Sequence, residues 1–172
     1  MDGPLAVLLP VTSRGQPDVA TTLTALERLA SFLPDSAGVF VALDDDDSLV
    51  GRVTELEAAF APRPTTITMF PPTCPPQIVP MAAALARLAY DDESQKYGLF
   101  ALLGDDLVFH TDSSWVDAIR RTFQTIAERR GTPAGFGCVA LNDTAFPGFP
   151  TFPVVSRVHM DIFGKLVPDG VF

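Results

Sequence analysis

Residues 5–33 read "LAVLLPVTSRGQPDVATTLTALERLASFL". Leu5 to Val11 is an unbroken apolar run of strand length, suited to a strand buried on both faces. Polar Thr12-Ser13-Arg14 follows at once. Val19, Leu23, Leu26, Ala30 and Leu33 then recur at helical spacing, and Pro17 suits a first helical position.

The same order repeats downstream. "GVFVALDDDD" (38–47) predicts a second buried strand that ends in acid. "SLVGRVTELEAAF" (48–60) is helical, with Val50, Val53, Leu56 and Phe60 on one side. "TTITMF" (65–70) predicts a third strand, and "PQIVPMAAALARLAY" (76–90) a helix starting near Pro80. "YGLFALL" (97–103) predicts a fourth strand. "SSWVDAIRRTFQTIAERRG" (113–131) carries both helix signals, with Asp112 or Ser113 as N-cap and Gly131 at C′. Its apolar face is Trp115, Ile119, Phe123 and Ile126. "GFGCVAL" (135–141) predicts a fifth strand, and "FPTFPVVSRVHMDIFG" (149–164) a short strand followed by a helix or turn. Strand and helix alternate with short loops. That pattern predicts parallel strands, right-handed crossovers and a three-layer α/β/α sandwich around a mostly parallel central sheet.

The 172 residues suffice for one domain with a sizeable core, and 47% hydrophobic against 19% charged residues indicates a folded globule. A net charge of −9 disfavours nucleic acid and anionic membrane surfaces, which need Lys and Arg to meet phosphates. An anionic small ligand is admitted where a metal or a local Arg offsets the field. Cys74 and Cys138 are the only cysteines. They are too few for a disulfide framework or a structural zinc site, and are expected as reduced, mostly buried thiols. Sixteen prolines are many for this length, with clusters at 71–80 and 147–153, where ordered loops are expected. The N-terminus has no basic segment or small-residue cleavage site, and no run approaches the ~18 apolar residues a span needs. A soluble, cytoplasmic chain is expected. The ending "VPDGVF" has no polar tail, which leaves open that this is the N-terminal part of a longer protein.

In layered α/β sheets ligands bind beyond the carboxyl ends of the strands. Three polar clusters fall there: Thr12-Ser13-Arg14, Asp44 to Asp47, and Asp105-Asp106. "TSRGQP" has a single glycine and fits neither dinucleotide nor P-loop signatures, which disfavours a Rossmann dehydrogenase or a P-loop NTPase. A bound diphosphate would then need another counter-charge. A divalent Mg²⁺ or Mn²⁺, holding one or two carboxylates and phosphate oxygens, is the natural one. Asp105 and Asp106 suit it. Adjacent side chains at a strand end point to opposite sides, so one can face the metal and the other ribose hydroxyls. The plain alternative is a solvated acidic turn.

With these residues in place, the chain resembles glycosyltransferases of the GT-A fold, near family 2 of inverting nucleotide-sugar transferases. "LLPVTSRG", "FVALDDDD", "YGLFALLGDDLVF" and the late "FPVVSRVHMDIFGKLVPDG" carry the likeness over nearly the whole chain. Each motif is short, so its specificity lies in order and spacing. The resemblance implies one catalytic domain over 1–172, with a nucleotide-binding part to about 112 and an acceptor-side part after it. It implies a metal-dependent, hexosyltransferase-like enzyme moving a sugar from a nucleotide-diphosphate donor, UDP favoured, to a glycan, protein or small-molecule hydroxyl with inversion.

Residue by residue, Pro10, Val11, Thr12, Ser13 and Arg14 would line the nucleotide pocket. Asp44 would accept from the base imide, while Asp45, Asp46 and Asp47 face water or cap the helix near Ser48. Asp105 would lie near the ribose and Asp106 would bind Mn²⁺ or Mg²⁺. His159 would be a further metal ligand, or else a structural histidine. His110 follows the strand too distantly to share the metal easily. Arg87 would reach the uracil or phosphates, or be a surface arginine. The general base would be Asp161 or Asp143, with Asp169 or a residue beyond Phe172 behind them, each also readable as a cap or turn aspartate. Phe146, Phe149 and Phe152 would stack on sugars or simply pack. Two other readings stay open: a nucleotidyltransferase, which usually opens with a glycine-rich basic loop, and a non-catalytic nucleotide-sugar-binding domain.

Overall fold

The computed structural model describes residues 2–14, 16, 18–72, 78–110, 112–146 and 151–167. Pro17, Cys74, Phe149 and Asp169 lie outside the described residues. The strands are β1 (Leu5–Pro10), β2 (Gly38–Asp44), β3 (Thr65–Phe70), β4 (Leu99–Leu102), β5 (Cys138–Leu141) and β6 (Phe152–Ser156). They form one sheet of order β3-β2-β1-β4-β6-β5. The helices are α1 (Val19–Ala30), α2 (Val53–Phe60), α3 (Ile78–Asp91), α4 (Trp115–Arg130) and α5 (Arg157–Phe163).

β1 lies between β2 and β4, and its unbroken apolar run serves two cores. Leu5, Val7 and Leu9 pack with Leu26 of α1, Phe60 of α2 and Phe123 of α4. Ala6 and Leu8 pack on the other face with Leu85 of α3 and Met160 of α5. Side chains alternate across a strand, so a strand covered on both faces has no polar position to spare. The result is the expected α/β/α sandwich.

β3, β2, β1 and β4 are mutually parallel. β6 runs antiparallel to both β4 and β5, which departs from the parallel direction the alternation implied. Among the described residues no helix lies between β5 and β6, and the ten residues from Asn142 to Thr151 are short for the crossover a parallel return requires, so β6 reverses. Its start, Phe152, therefore stands where the parallel strands end. Its last residue, Ser156, pairs with Leu99 at the start of β4. α5 departs from that far edge, with the Arg157 amide donating to the Gly98 carbonyl at 2.9 Å.

Local chemistry sets the helix ends. Asp18 caps α1 by accepting the Thr21 amide at 2.8 Å. The 48–60 segment splits into a 3-10 turn (Ser48–Arg52) and α2. Neither cap expected for α4 acts: Ser114 stands at the N-cap without a side-chain bond, and Asp112 accepts the Ser114 amide at 2.9 Å in the turn before it. Gly131, at φ 65°, closes α4 in the left-handed region that favours glycine.

The apolar run after Gly-Asp-Asp is not a strand. It is a strap in which Leu107 and Phe109 pack inward while Val108 and His110 face out. Phe109 stacks on Trp115 with ring centroids 5.1 Å apart, and Trp115 Nε1 donates to the Phe32 carbonyl at 2.9 Å. Cys138 is exposed rather than buried, because β5 is the outermost strand of the sheet. Among the described residues, no helix is long and apolar enough to cross a membrane.

Candidate functional site

A cavity of about 440 Å³ opens at the carboxyl ends of β1, β2 and β4. Pro10, Val11, Thr12 and Arg14 enter it from the end of β1, Asp44 from the end of β2, and Asp105 and Asp106 from the turn after β4. The three clusters expected at one sheet edge thus share one cavity. Ile78 and Met81 of α3 and Leu102 and Leu103 give it an apolar wall, and the reversed β6 adds Thr151 and Phe152.

Asp47 organises the loop after β1. Its Oδ1 accepts the Ser13 hydroxyl at 2.7 Å and the Leu49 amide at 2.9 Å. Its Oδ2 accepts the Ser13 amide at 2.9 Å and the Thr12 hydroxyl at 3.1 Å. Burial of this carboxyl works to raise its pKa, but the bonds from Leu49, Ser13 and Thr12 outweigh it and hold the group below the usual carboxylate range. Ser13, expected in the nucleotide pocket, is turned to Asp47 and does not line the cavity. Asp45 and Asp46 face solvent, while Asp47 takes the capping role.

Arg14 bridges the acidic run. Its Nη1 meets Asp44 Oδ2 at 2.6 Å, and its Nη2 pairs with Asp46. Asp44 is only 6% exposed, and its other oxygen, Oδ1, is buried without a partner. A lone buried acceptor costs about 1–3 kcal/mol. A ligand N–H or O–H in the cavity would satisfy it.

Asp105 and Asp106 are less well served. Asp105 Oδ2 accepts the Thr12 amide at 3.1 Å. Burial, then the neighbouring Asp106 charge, raise its pKa against the opposing bond from Thr12. Gly104 makes room for the pair, since a Cβ there would lie 2.8 Å from Asp106 Oδ1 and 3.2 Å from the Phe152 ring. Among the described residues the cavity wall carries three carboxylates (Asp44, Asp105, Asp106) and one guanidinium (Arg14). A diphosphate would be repelled from such a surface, whereas a divalent cation on Asp106, beside Asp105, would invert the local field. No three His, Cys, Asp or Glu among the described residues cluster as a complete metal cage. Asp105 and Asp106 offer only oxygen donors, the kind a hard cation would take one or two at a time.

The remaining expected residues lie elsewhere. Asp161 follows the far edge of the sheet, where its Oδ1 accepts the Tyr90 hydroxyl at 2.8 Å. His159 is buried on α5, its Nε2 donating to the Leu166 carbonyl at 3.1 Å, its ring against Phe163, and its pKa lowered by burial. Neither is brought to Asp105 and Asp106, because both follow the reversed strand. Asp143 does lie on the ligand edge, just past β5, but outside the cavity wall, with its Oδ1 on the Ala145 amide at 2.8 Å. Arg87 pairs with Asp91 at 2.6 Å on the surface of α3, and His110 is exposed on the strap. Phe146 is exposed, while Phe152 lines the cavity.

Sequence reasoning allowed Asp47 a capping role but missed its hold on Thr12 and Ser13, and it missed Thr151. The run of four aspartates hid the first. The second had no motif to mark it.

No family model matches the chain, and no curated protein matches it. Two crystal structures of S. aureus TarS resemble its fold, one of residues 1–349 and one of TarS without a stated range. Each has a TM-score of 0.49 and 13% identity over 92% of this chain. The chain covers 48% of the first and 29% of the second, so it spans less than half of either. A likeness this distant assigns no function.

Proposed function

We propose that this domain binds a nucleotide-diphosphate sugar, a UDP-sugar by preference, and transfers the sugar to an acceptor hydroxyl with inversion. The observation that carries the reading is the gathering of the β1 loop, the unpartnered Asp44 Oδ1 and the Asp105-Asp106 pair in one cavity. Asp44 Oδ1 accepts the base imide, and Arg14 holds the Asp44 carboxylate in place from its other oxygen. The apolar wall of Ile78 and Met81 suits a flat base. Asp105 faces the ribose, and Asp106 holds Mn²⁺ or Mg²⁺. The metal, when bound, neutralises charge on the departing diphosphate.

The acceptor oxygen forms its bond to the anomeric carbon as the bond to the diphosphate breaks, and its proton must go to a base. Asp143 is our assignment for that base, because of the two favoured aspartates it alone stands on the ligand edge. Its place outside the cavity wall also favours a second reading, a nucleotide-sugar binder without transfer activity. A nucleotidyltransferase is the third.

Titration with UDP by calorimetry, with and without MnCl₂, tests the first step. Metal-dependent binding is expected, with loss on the order of 100-fold in Asp106→Ala. No heat with UDP or other nucleotides would sink both the transferase and the nucleotidyltransferase readings. Hydrolysis assays over UDP- and GDP-sugars then separate a transferase from a passive binder.

A further inference from the structure

We propose that Thr151 is a specificity-determining contact for the sugar carried on the diphosphate. The proposal rests on the nucleotide-sugar reading above. Thr151 lines the cavity, and its hydroxyl is buried without a hydrogen-bond partner. A threonine hydroxyl can donate one bond and accept two, so an empty one on a residue that lines a cavity is an unused contact. Only two cavity-lining residues hold such an orphan atom, Asp44 Oδ1 and Thr151 Oγ1, among the described residues.

Their spacing supplies the second argument. Asp44 ends β2 and Thr151 precedes β6, with β1 and β4 between them. Three strand spacings separate the two by roughly 14 Å. A base on Asp44 and a diphosphate beside Asp105 and Asp106 leave the group on the far phosphate pointing at Thr151. The register agrees. Ala101 pairs with Val154, and continuing that antiparallel pairing sets Thr151 opposite Gly104, beside the acidic pair. Leu141 pairs with Phe152, which brings Asp143 to the other side of Thr151. Thr151 thus stands between the diphosphate end and the carboxylate assigned as base, where the transferred sugar has to sit. A sugar hydroxyl matches both hydrogen-bonding roles of the threonine.

The test compares wild type, Thr151→Val and Thr151→Ser by calorimetry in MnCl₂. The probes are UDP, UDP-glucose, UDP-galactose and UDP-N-acetylglucosamine. Valine keeps shape and strand preference while removing the hydroxyl. For the UDP-sugar that wild type binds most tightly, Thr151→Val should weaken binding roughly five- to tenfold. Affinity for UDP should change less than twofold, and Thr151→Ser should recover the sugar affinity. Unchanged UDP-sugar affinity in Thr151→Val would overturn the proposal. So would an equal loss for UDP and UDP-sugar, which would mark a nucleotide contact or a structural defect. Wild type that binds no UDP would remove the nucleotide reading and this proposal together, whereas UDP binding with an indifferent Thr151→Val removes only the latter.

Discussion

The two acidic runs look alike in sequence, yet they do opposite work. Asp44–Asp47 is largely spoken for: Arg14 bridges Asp44 and Asp46, and Asp47 gathers donors from Thr12, Ser13 and Leu49. Asp105-Asp106 accepts from the Thr12 amide, and burial together with the like-charge pair raises the Asp105 pKa. The first run builds the wall and, among the described residues, leaves a single buried oxygen without a partner. The second is held in electrostatic discomfort, the condition that a cation relieves. Counting aspartates says nothing of this. What separates the runs is who donates to them.

That contrast can be broken first at Asp47. Asp47→Ala strips four donors of one buried acceptor and should destabilise the fold by about 3 kcal/mol, or roughly 10 °C in Tm. Denaturant unfolding checks it, and a loss under about 1 kcal/mol would deny Asp47 its organising role. Gly104→Ala probes the second run. The added Cβ has to push Asp106 Oδ1 aside, so Mn²⁺-dependent UDP affinity should fall about fivefold with little change in Tm.

Asp105→Asn sharpens the comparison through pH. The folded protein binds this proton more tightly than the unfolded chain, so the wild-type group favours folding at low pH. That benefit fades as pH rises through the ordinary carboxylate value to the raised one. In metal-free buffer at neutral pH, Asp105→Asn should therefore stabilise by up to about 1 kcal/mol, a gain that vanishes in acid. Paired melts across that range read it directly, and a constant difference would contradict the raised pKa. Asp45→Asn is the smallest change. Asp45 is exposed at the rim, and both stability and UDP affinity should stay within about 0.5 kcal/mol of wild type.

Much of the scaffold was legible because burial writes itself into apolar runs. Leu5–Val11 and Gly38–Asp44 have no polar positions until they reach the ligand edge, and both are covered on two faces. The convergence of Thr12, Arg14, Asp44, Asp105 and Asp106 followed from strand ends alone. Strand direction did not. "FPVVS" reads the same whether its neighbour runs with it or against it, and reversal of β6 is what moved His159 and Asp161 to the far edge. Asp47 was hidden for another reason. Which of four identical side chains turns inward depends on the turn after β2, and that geometry leaves no mark on composition.

The reversed β6 has one more consequence. β5 and β6 pair antiparallel, with Leu141 opposite Phe152 at the ligand edge and ladder bonds anchoring both strands away from it. The segment joining two such strands can lengthen, shorten or change composition without shifting the β1, β2 and β4 register that positions Thr12, Arg14 and Asp44. The sheet is in effect two parts with separate freedoms to vary: a parallel socket of β1, β2 and β4 ends, and an antiparallel pair that can change beside it.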